Sequence, residues 1–347
     1  LAVGVAEYTE DYQAPEGHQH ATVVEADLTA PGLRLNVVDA GDVAFDPSDE
    51  TVSSMANRTK AVAGINGDYF DVKRSGAPSG GAVSGGVLVK SPRPNYNGQL
   101  EIGPDRRAHI GAESYTASIT DVTDSSSHAL TSVNTITDAN SGGITEITSR
   151  IGRAASSPAT YVSGTLRGDT MTVSSVQGGV SGVPRPATGG VGLLGTGAGG
   201  QWLADSVHPG DTVLLRHRLA PVVDPHALLS GATVLARGGA LYNDPTGMPP
   251  SGVNPETAVG ISDDGWHLIM VTIDGRAGAG VAVGVTPTQT GQYLLAHGAT
   301  DALLLDGGGS TELVARDPGA ATVSVRNTPS QGYERPIADG LFLYSSN

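Results

Sequence analysis

The segment LLLDGGGSTELV, residues 303 to 314, constrains the fold more than any other stretch, because an apolar strand runs directly into Asp306, Gly307, Gly308, Gly309 and Ser310. Three consecutive glycines leave no side chain to pack and reach positive φ without steric cost, so the turn offers backbone N–H groups to whatever approaches it. Asp306 then stands at the carboxyl end of a buried strand. Two readings follow from the residues: a backbone cradle for an anionic or polyhydroxylated ligand, or a tight hairpin joining strands at 302–305 and 311–316.

Other segments repeat this grammar of a short apolar strand ending in a small, charged turn. AGINGDYFD (63–71) sets Asn66, Asp68 and Asp71 after Ile65; VTIDGR (271–276) sets Asp274 and Arg276 after Ile273; NPETAVGI (254–261) sets Glu256 before an apolar run. The clearest helix is expected at 287–297, with Thr286 as cap, Pro287 in the first position, Gln289 completing the capping box and Gly298 as terminator. This helix links VTIDGR to LLLDGGGS, and if their strands are parallel, Asp274 and Asp306 open on one sheet edge.

Elsewhere, residues 21–40 alternate about Pro31-Gly32 as a hairpin should. Asp46-Pro47 with Asp49 reads as a helix start that places Val52, Met55 and Ala56 on one face. Residues 104–220 read as short strands, and the Gly-rich pieces at 141 and 192 are too short to bound domains. The expectation is one α+β catalytic domain over residues 1–347, β-rich with mixed sheets and a few short helices.

Composition excludes several classes. Forty-nine Gly and 21 Pro fit many strands and turns. A formal charge of −15 argues against nucleic acid or an anionic membrane as partner, since either demands a basic face. Without cysteine there is no disulfide framework, thiolate metal site or cysteine nucleophile. No apolar run approaches the ~18 residues of a membrane span. A start at Leu1 rather than Met is expected of a processed product whose signal peptide is already absent.

The DGGGS turn, the NGDYF segment, TAVGI and the ERP of ERPIADGL, together with ALTSVN (129–134) and GATVLARGGAL (231–241), resemble in this order the phosphodiester glycosidase family. That family includes the enzyme that removes N-acetylglucosamine covering mannose 6-phosphate, and secreted bacterial relatives. The resemblance runs from about Val23 to Tyr344 and implies a secreted enzyme acting on carbohydrate. In the family an arginine precedes the TAVGI run, and the residue two after the turn serine is hydroxylated. This chain has Glu256 and Glu312 there.

These departures supply two carboxylates, the equipment for an ordinary glycosidic bond whose alcohol leaving group needs a general acid. The first expectation is therefore a glycoside hydrolase acting on a polysaccharide or cell-envelope glycan, with Glu256, Glu312, Asp306 and Asp274 as the catalytic candidates. Asn66, Asp68, Arg276, Gly307, Gly308, Gly309 and Ser310 are the substrate-binding candidates, and Asn66, Asp68, Glu256, Asp274, Asp306 and Glu312 are expected to converge on one concave pocket. A true phosphodiester glycosidase is the alternative, and a non-catalytic glycan-binding module the third reading. Asp68 with Asp71 would suit Ca²⁺, although two carboxylates do not complete a site of ~6 to 8 oxygens.

Overall fold

The computed structural model describes residues 1–94, 96, 98–136, 142–154, 158–244, 252–278 and 280–346. The chain is β-rich, with four sheets and three short α-helices among the described residues. A seven-stranded sheet has the order Val5–Ala14, Gly17–Asp27, His267–Ile273, Glu256–Ile261, Asp301–Leu304, Thr233–Arg237, Ala240–Leu241. Beside it, a five-stranded sheet runs Ser324–Val325, Leu313–Ala315, Ala63–Asn66, Asp339–Ser345, Leu33–Asp39. The strands Val87–Lys90, Ala82–Ser84, Ala227–Gly231, Gly98–Ile102 and Ala108–Gly111 make a second five-stranded sheet. An eight-stranded sheet gathers strands between Ser114 and Ala220. The sheets are almost wholly antiparallel; the described parallel ladder is the two-residue pairing of Ser132–Val133 with Ile144–Ile147.

The strands Glu256–Ile261 and His267–Ile273 read as continuous apolar runs because both faces of their sheet are covered. Val259, Ile261, Leu268 and Met270 face the main core with Leu35, Ile65, Leu100, Leu229 and Leu341. Their alternating neighbours Ala258, Ile269 and Val271 pack beneath the helix Pro287–Ala296 through Leu294 and Tyr293. That helix carries the expected capping box between Thr286 and Gln289. His297 closes it, its ring Nδ1 on the Tyr293 carbonyl and Nε2 3.0 Å from Glu10.

Three local expectations are corrected. Residues 21–40 do not form a hairpin: Gly17–Asp27 pairs with Val5–Ala14 and His267–Ile273, whereas Leu33–Asp39 pairs with Asp339–Ser345 in another sheet. The first helix spans Val52–Thr59 with Thr51 as its cap, later than Asp46, although Val52, Met55 and Ala56 are the buried face as expected. Residues 302–305 and 311–316 do not make a hairpin either, since the two strands belong to different sheets. Asp274 and Asp306 do end parallel strands at one sheet edge, but the antiparallel strand Glu256–Ile261 runs between them and brings Glu256 to the same edge.

Candidate active site

The glycine turn is where the chain crosses from one sheet to the next. Leu305 N–H still bonds Thr257 O at 2.9 Å, Asp306 N–H reaches Gly67 O at 2.9 Å, and Gly308 N–H reaches Pro255 O at 2.8 Å. A 3₁₀ turn over Gly308–Ser310 follows, and Leu313 then pairs with Ile65. Asn66 braces the crossing from behind: its amide donates to Asp306 O (2.6 Å), and its carbonyl oxygen accepts from Thr257 Oγ1 (2.8 Å) and Glu312 N–H (3.0 Å). Being fully buried, Asn66 ties three segments together rather than presenting itself to a ligand.

Of the three glycines only Gly308 has positive φ, at 65°. The others are required by close approach. A Cβ on Gly307 would lie 2.6 Å from Glu256 Oε2 and 2.8 Å from Pro255 O, and one on Gly309 would strike the Arg335 guanidinium. A Cβ on Gly308 would sit 3.1 Å from Arg276 Nη2. Two guanidinium groups therefore flank the turn, Arg276 beside Gly308 and Arg335 beside Gly309. Arg276 is held by Asn254 Oδ1 at 2.7 Å, and Arg335 by Gln331 Oε1 at 3.1 Å and Ser310 Oγ at 3.3 Å.

Against this turn lie two carboxyl groups. Glu256 is 1% exposed, and its Oε1 has no hydrogen-bond partner. Burial, and then the charge of Asp306, push it up to about 8, with Arg276 pulling the other way. Asp306 is pushed up to about 7, chiefly by burial and also by Asp68, against a hydrogen bond from Ser310 and the charge of Arg335. The Tyr69 hydroxyl completes the group: it accepts from Gly307 N–H, and burial and then the charges of Asp306, Glu256 and Asp68 raise it. Two acids whose charges both reach one tyrosine, with a guanidinium beside Gly308 and another beside Gly309, can hold and move a proton next to a bound anion.

The remaining sequence candidates are engaged by other partners, although the charge of Asp68 still reaches Asp306 and Tyr69. Asp68 is buried and its oxygens are already engaged, Oδ1 by Tyr96 hydroxyl at 2.7 Å and Oδ2 by Gly80 N–H at 2.5 Å, with Lys90 nearby; burial still lifts it to about 6. Asp71 is directed to Ser75 and barely enclosed, so Asp68 and Asp71 do not form the Ca²⁺ site considered from sequence. No three His, Asp or Glu side chains among the described residues are placed to hold a metal ion. Asp274 accepts from Thr328 N–H at 3.1 Å and Asn327 Nδ2 at 3.3 Å and borders another hollow, of about 360 Å³, with Asp11, His18 and His20. Glu312 is buried against Glu334; burial and then Glu334 raise it to about 9, while a backbone hydrogen bond from Ser53 pulls the other way. The expectation that Asn66, Asp68, Glu256, Asp274, Asp306 and Glu312 share one pocket is thus corrected. Glu256, Asp306, Arg276 and the turn come together, whereas the carboxyls of Asp274 and Glu312 turn to other surroundings.

Residues 196–344 match the model of the phosphodiester glycosidase family. The matched segment contains Glu256, Arg276, the glycine turn and Arg335, and it stops short of Asn66 and Tyr69. The match covers less than half of the chain. Over nearly the whole chain the fold is similar to that of a hypothetical protein from Synechocystis, at 19% identity and TM-score 0.78, covering 99% of this chain and 62% of that one. The chain therefore spans less than two thirds of that protein. A Burkholderia pseudomallei K96243 protein, BPSS2145, aligns at 23% identity and TM-score 0.73 over 94% of this chain and 74% of its own. The zebrafish N-acetylglucosamine-1-phosphodiester alpha-N-acetylglucosaminidase catalytic domain, auto-inhibited by its pro-peptide, aligns at 18% identity and TM-score 0.47, covering 98% and 83%. A search of curated proteins finds no match.

Arg335 is the functional candidate that the sequence reading missed. It lies in the ERP segment, and its signal was indirect: Gly309 has no positive φ, so something must press against it.

Proposed function

We propose that this protein is an exported glycosidase that hydrolyses a sugar-1-phosphodiester. The observation that carries this reading is the pair of guanidinium groups of Arg276 and Arg335 beside the Gly308 and Gly309 backbone, next to the Glu256 and Asp306 carboxyls. Guanidinium groups suit the planar, bidentate recognition of phosphate oxygens. Glu256 stands where the family has arginine, yet it does not bring the repulsion its formal charge suggests. With its midpoint near 8, it is mostly neutral at pH 7, so the cations dominate the local field.

In this reading the phosphate departs as an already acidic leaving group, held by the two arginines. Asp306, the more readily ionised carboxyl, acts as base or nucleophile at the anomeric carbon, and protonated Glu256 with Tyr69 serves as the proton reservoir. A second reading, hydrolysis of a neutral glycosidic bond in a polysaccharide or cell-envelope glycan, is favoured by the same acid pair, since a raised acid is what an alcohol leaving group needs.

Matched substrates separate the two. Hexose and N-acetylhexosamine 1-(methyl phosphodiesters) are compared with the corresponding methyl glycosides, using wild type and Arg335→Gln. Faster phosphodiester turnover, reduced about 10-fold to 100-fold in kcat/KM by Arg335→Gln, supports the proposal. Faster turnover of the methyl glycosides, unaffected by Arg335→Gln, moves the assignment to the second reading.

A further inference from the structure

A second pair of carboxyls lies away from the glycine turn, on the outer face of the sheet containing Gly98–Ile102. Leu100 and Ile102 point from that strand into the core, so the alternating Gln99 and Glu101 face the other way. Gln99 Oε1 accepts the Glu113 N–H at 2.9 Å, which draws residues 111–114 across this face and lays Glu113 against Glu101. The two side chains are hydrogen-bonded to each other, and Glu113 Oε2 also accepts from Val222 N–H at 3.4 Å. Glu101 is 2% exposed and has no donor among the described residues apart from its partner acid; its Oε1 is unpartnered. It lines a hollow of about 560 Å³ whose other walls include His109, Ile110, Asp105, Val222 and Val223. Val223 is left 54% exposed beside it.

We propose that this hollow is a binding site for a small organic cation, a primary ammonium carrying an apolar body. Two carboxyls in contact must share a proton, because adjacent negative charges out of water repel strongly. The pair then holds one net negative charge, an acceptor-rich floor and no cationic partner. An ammonium group supplies donors without an acceptor and replaces the shared proton, while Ile110, Val222 and Val223 cover its apolar body. The charged neighbours do not neutralise the pair. Asp105, on the turn at its edge, is engaged by Arg107 at 3.7 Å, and His109 stands across the ladder from Glu101. Burial and the neighbouring Glu113 raise Glu101 to about 9, which accords with a retained proton.

Calorimetry of the full chain with n-pentylamine, against pentan-1-ol, tests this. The expected result is one amine per chain, with release of close to one proton at pH 7, read from buffers of different ionisation enthalpy. Affinity should rise towards tenfold per pH unit between pH 6 and 8. Glu101→Gln should keep its hydrogen bond to Glu113, fold normally by circular dichroism, and weaken amine binding at least tenfold, with glycosidase activity unchanged. Equal binding of pentan-1-ol, no proton release, or an unaltered affinity in folded Glu101→Gln each overturns the proposal. None of these readouts depends on the reaction assigned to the glycine turn.

Discussion

Replacing Glu256 by glutamine should damage the enzyme and stabilise the protein, and the second effect should grow as pH rises above about 4.5 and level off near 8. The carboxyl is 1% exposed, and its midpoint is raised from 4.5 to about 8. Below about pH 4.5 Glu256 is neutral in both folded and unfolded chains and contributes no pH dependence. Between 4.5 and 8 it is ionised only when unfolded, so unfolding releases a proton and stability declines by about 1.4 kcal/mol per pH unit. Above 8 the folded chain carries the full burden, on the order of 5 kcal/mol. Glutamine has nearly the same shape and never ionises. Glu256→Gln should therefore lie within about 1 kcal/mol of wild type at pH 5 and exceed it by several kcal/mol at pH 9. Urea denaturation at pH 5, 7 and 9, with the slope compared to confirm an unchanged unfolding transition, measures the difference. A stability difference that stays flat from pH 5 to 9 would refute the claim that burial holds this carboxyl neutral.

Activity should follow a narrow bell. With Asp306 needed ionised and Glu256 protonated, kcat/KM should rise through about pH 7 and fall above about 8; a plateau extending to pH 10 would remove Glu256 from the proton inventory. Asp306→Asn should lower kcat by roughly 10² or more on every substrate, whereas wild-type turnover in that variant would return the role to Asp274 or Glu312. Gly309→Ala should displace Arg335 and weaken phosphodiester binding while leaving thermal unfolding within a few degrees, as a KM measurement beside a melting curve would show. Asn66→Ala strands the Glu312 N–H and Thr257 hydroxyl without partners and should cost about 2 to 5 kcal/mol in urea unfolding, so a neutral change would contradict its bracing role.

The sequence made local events legible and long-range partners much less so. The helix Pro287–Ala296 was readable because its cap, first residue and terminator are all encoded within a dozen positions. The supposed hairpin at 21–40 failed for the opposite reason: alternation says that a strand has two faces, but not which strand lies beside it, and Leu33–Asp39 finds its partner at the carboxyl end of the chain. The helix Gly197–Ser206 was not expected, because its glycines read only as a Gly-rich piece too short to bound domains. They serve close approach instead, since a Cβ on Gly200 would lie 2.6 Å from Gly195 O. At the site, strand-end grammar found Glu256, Asp306 and Arg276, yet it could not tell which way Glu312 and Asp274 would turn. Both follow the same pattern of acids at strand ends, and only the surrounding packing sends one to Glu334 and the other to Thr328.

A chain of net charge −15 might be expected to repel a phosphodiester, and the arrangement of the site explains why that charge need not govern binding. At physiological ionic strength exposed charges beyond about 8 Å are largely screened, so the distant surface contributes little at the turn. What remains is local: the guanidinium groups of Arg276 and Arg335 against Glu256, whose negative charge is suppressed by burial and by Asp306, and Asp306, whose charge is suppressed by burial and by Asp68. The same burial that makes these acids costly to ionise therefore leaves the turn positive near neutral pH. As pH rises past 8, both acids ionise and their two charges cancel those of the two arginines. Phosphodiester affinity should then fall faster with pH than affinity for a neutral glycoside of the same sugar. Measuring the KM of both across pH 6 to 9 makes the distinction, and parallel curves would show that the arginines do not face the bound phosphate.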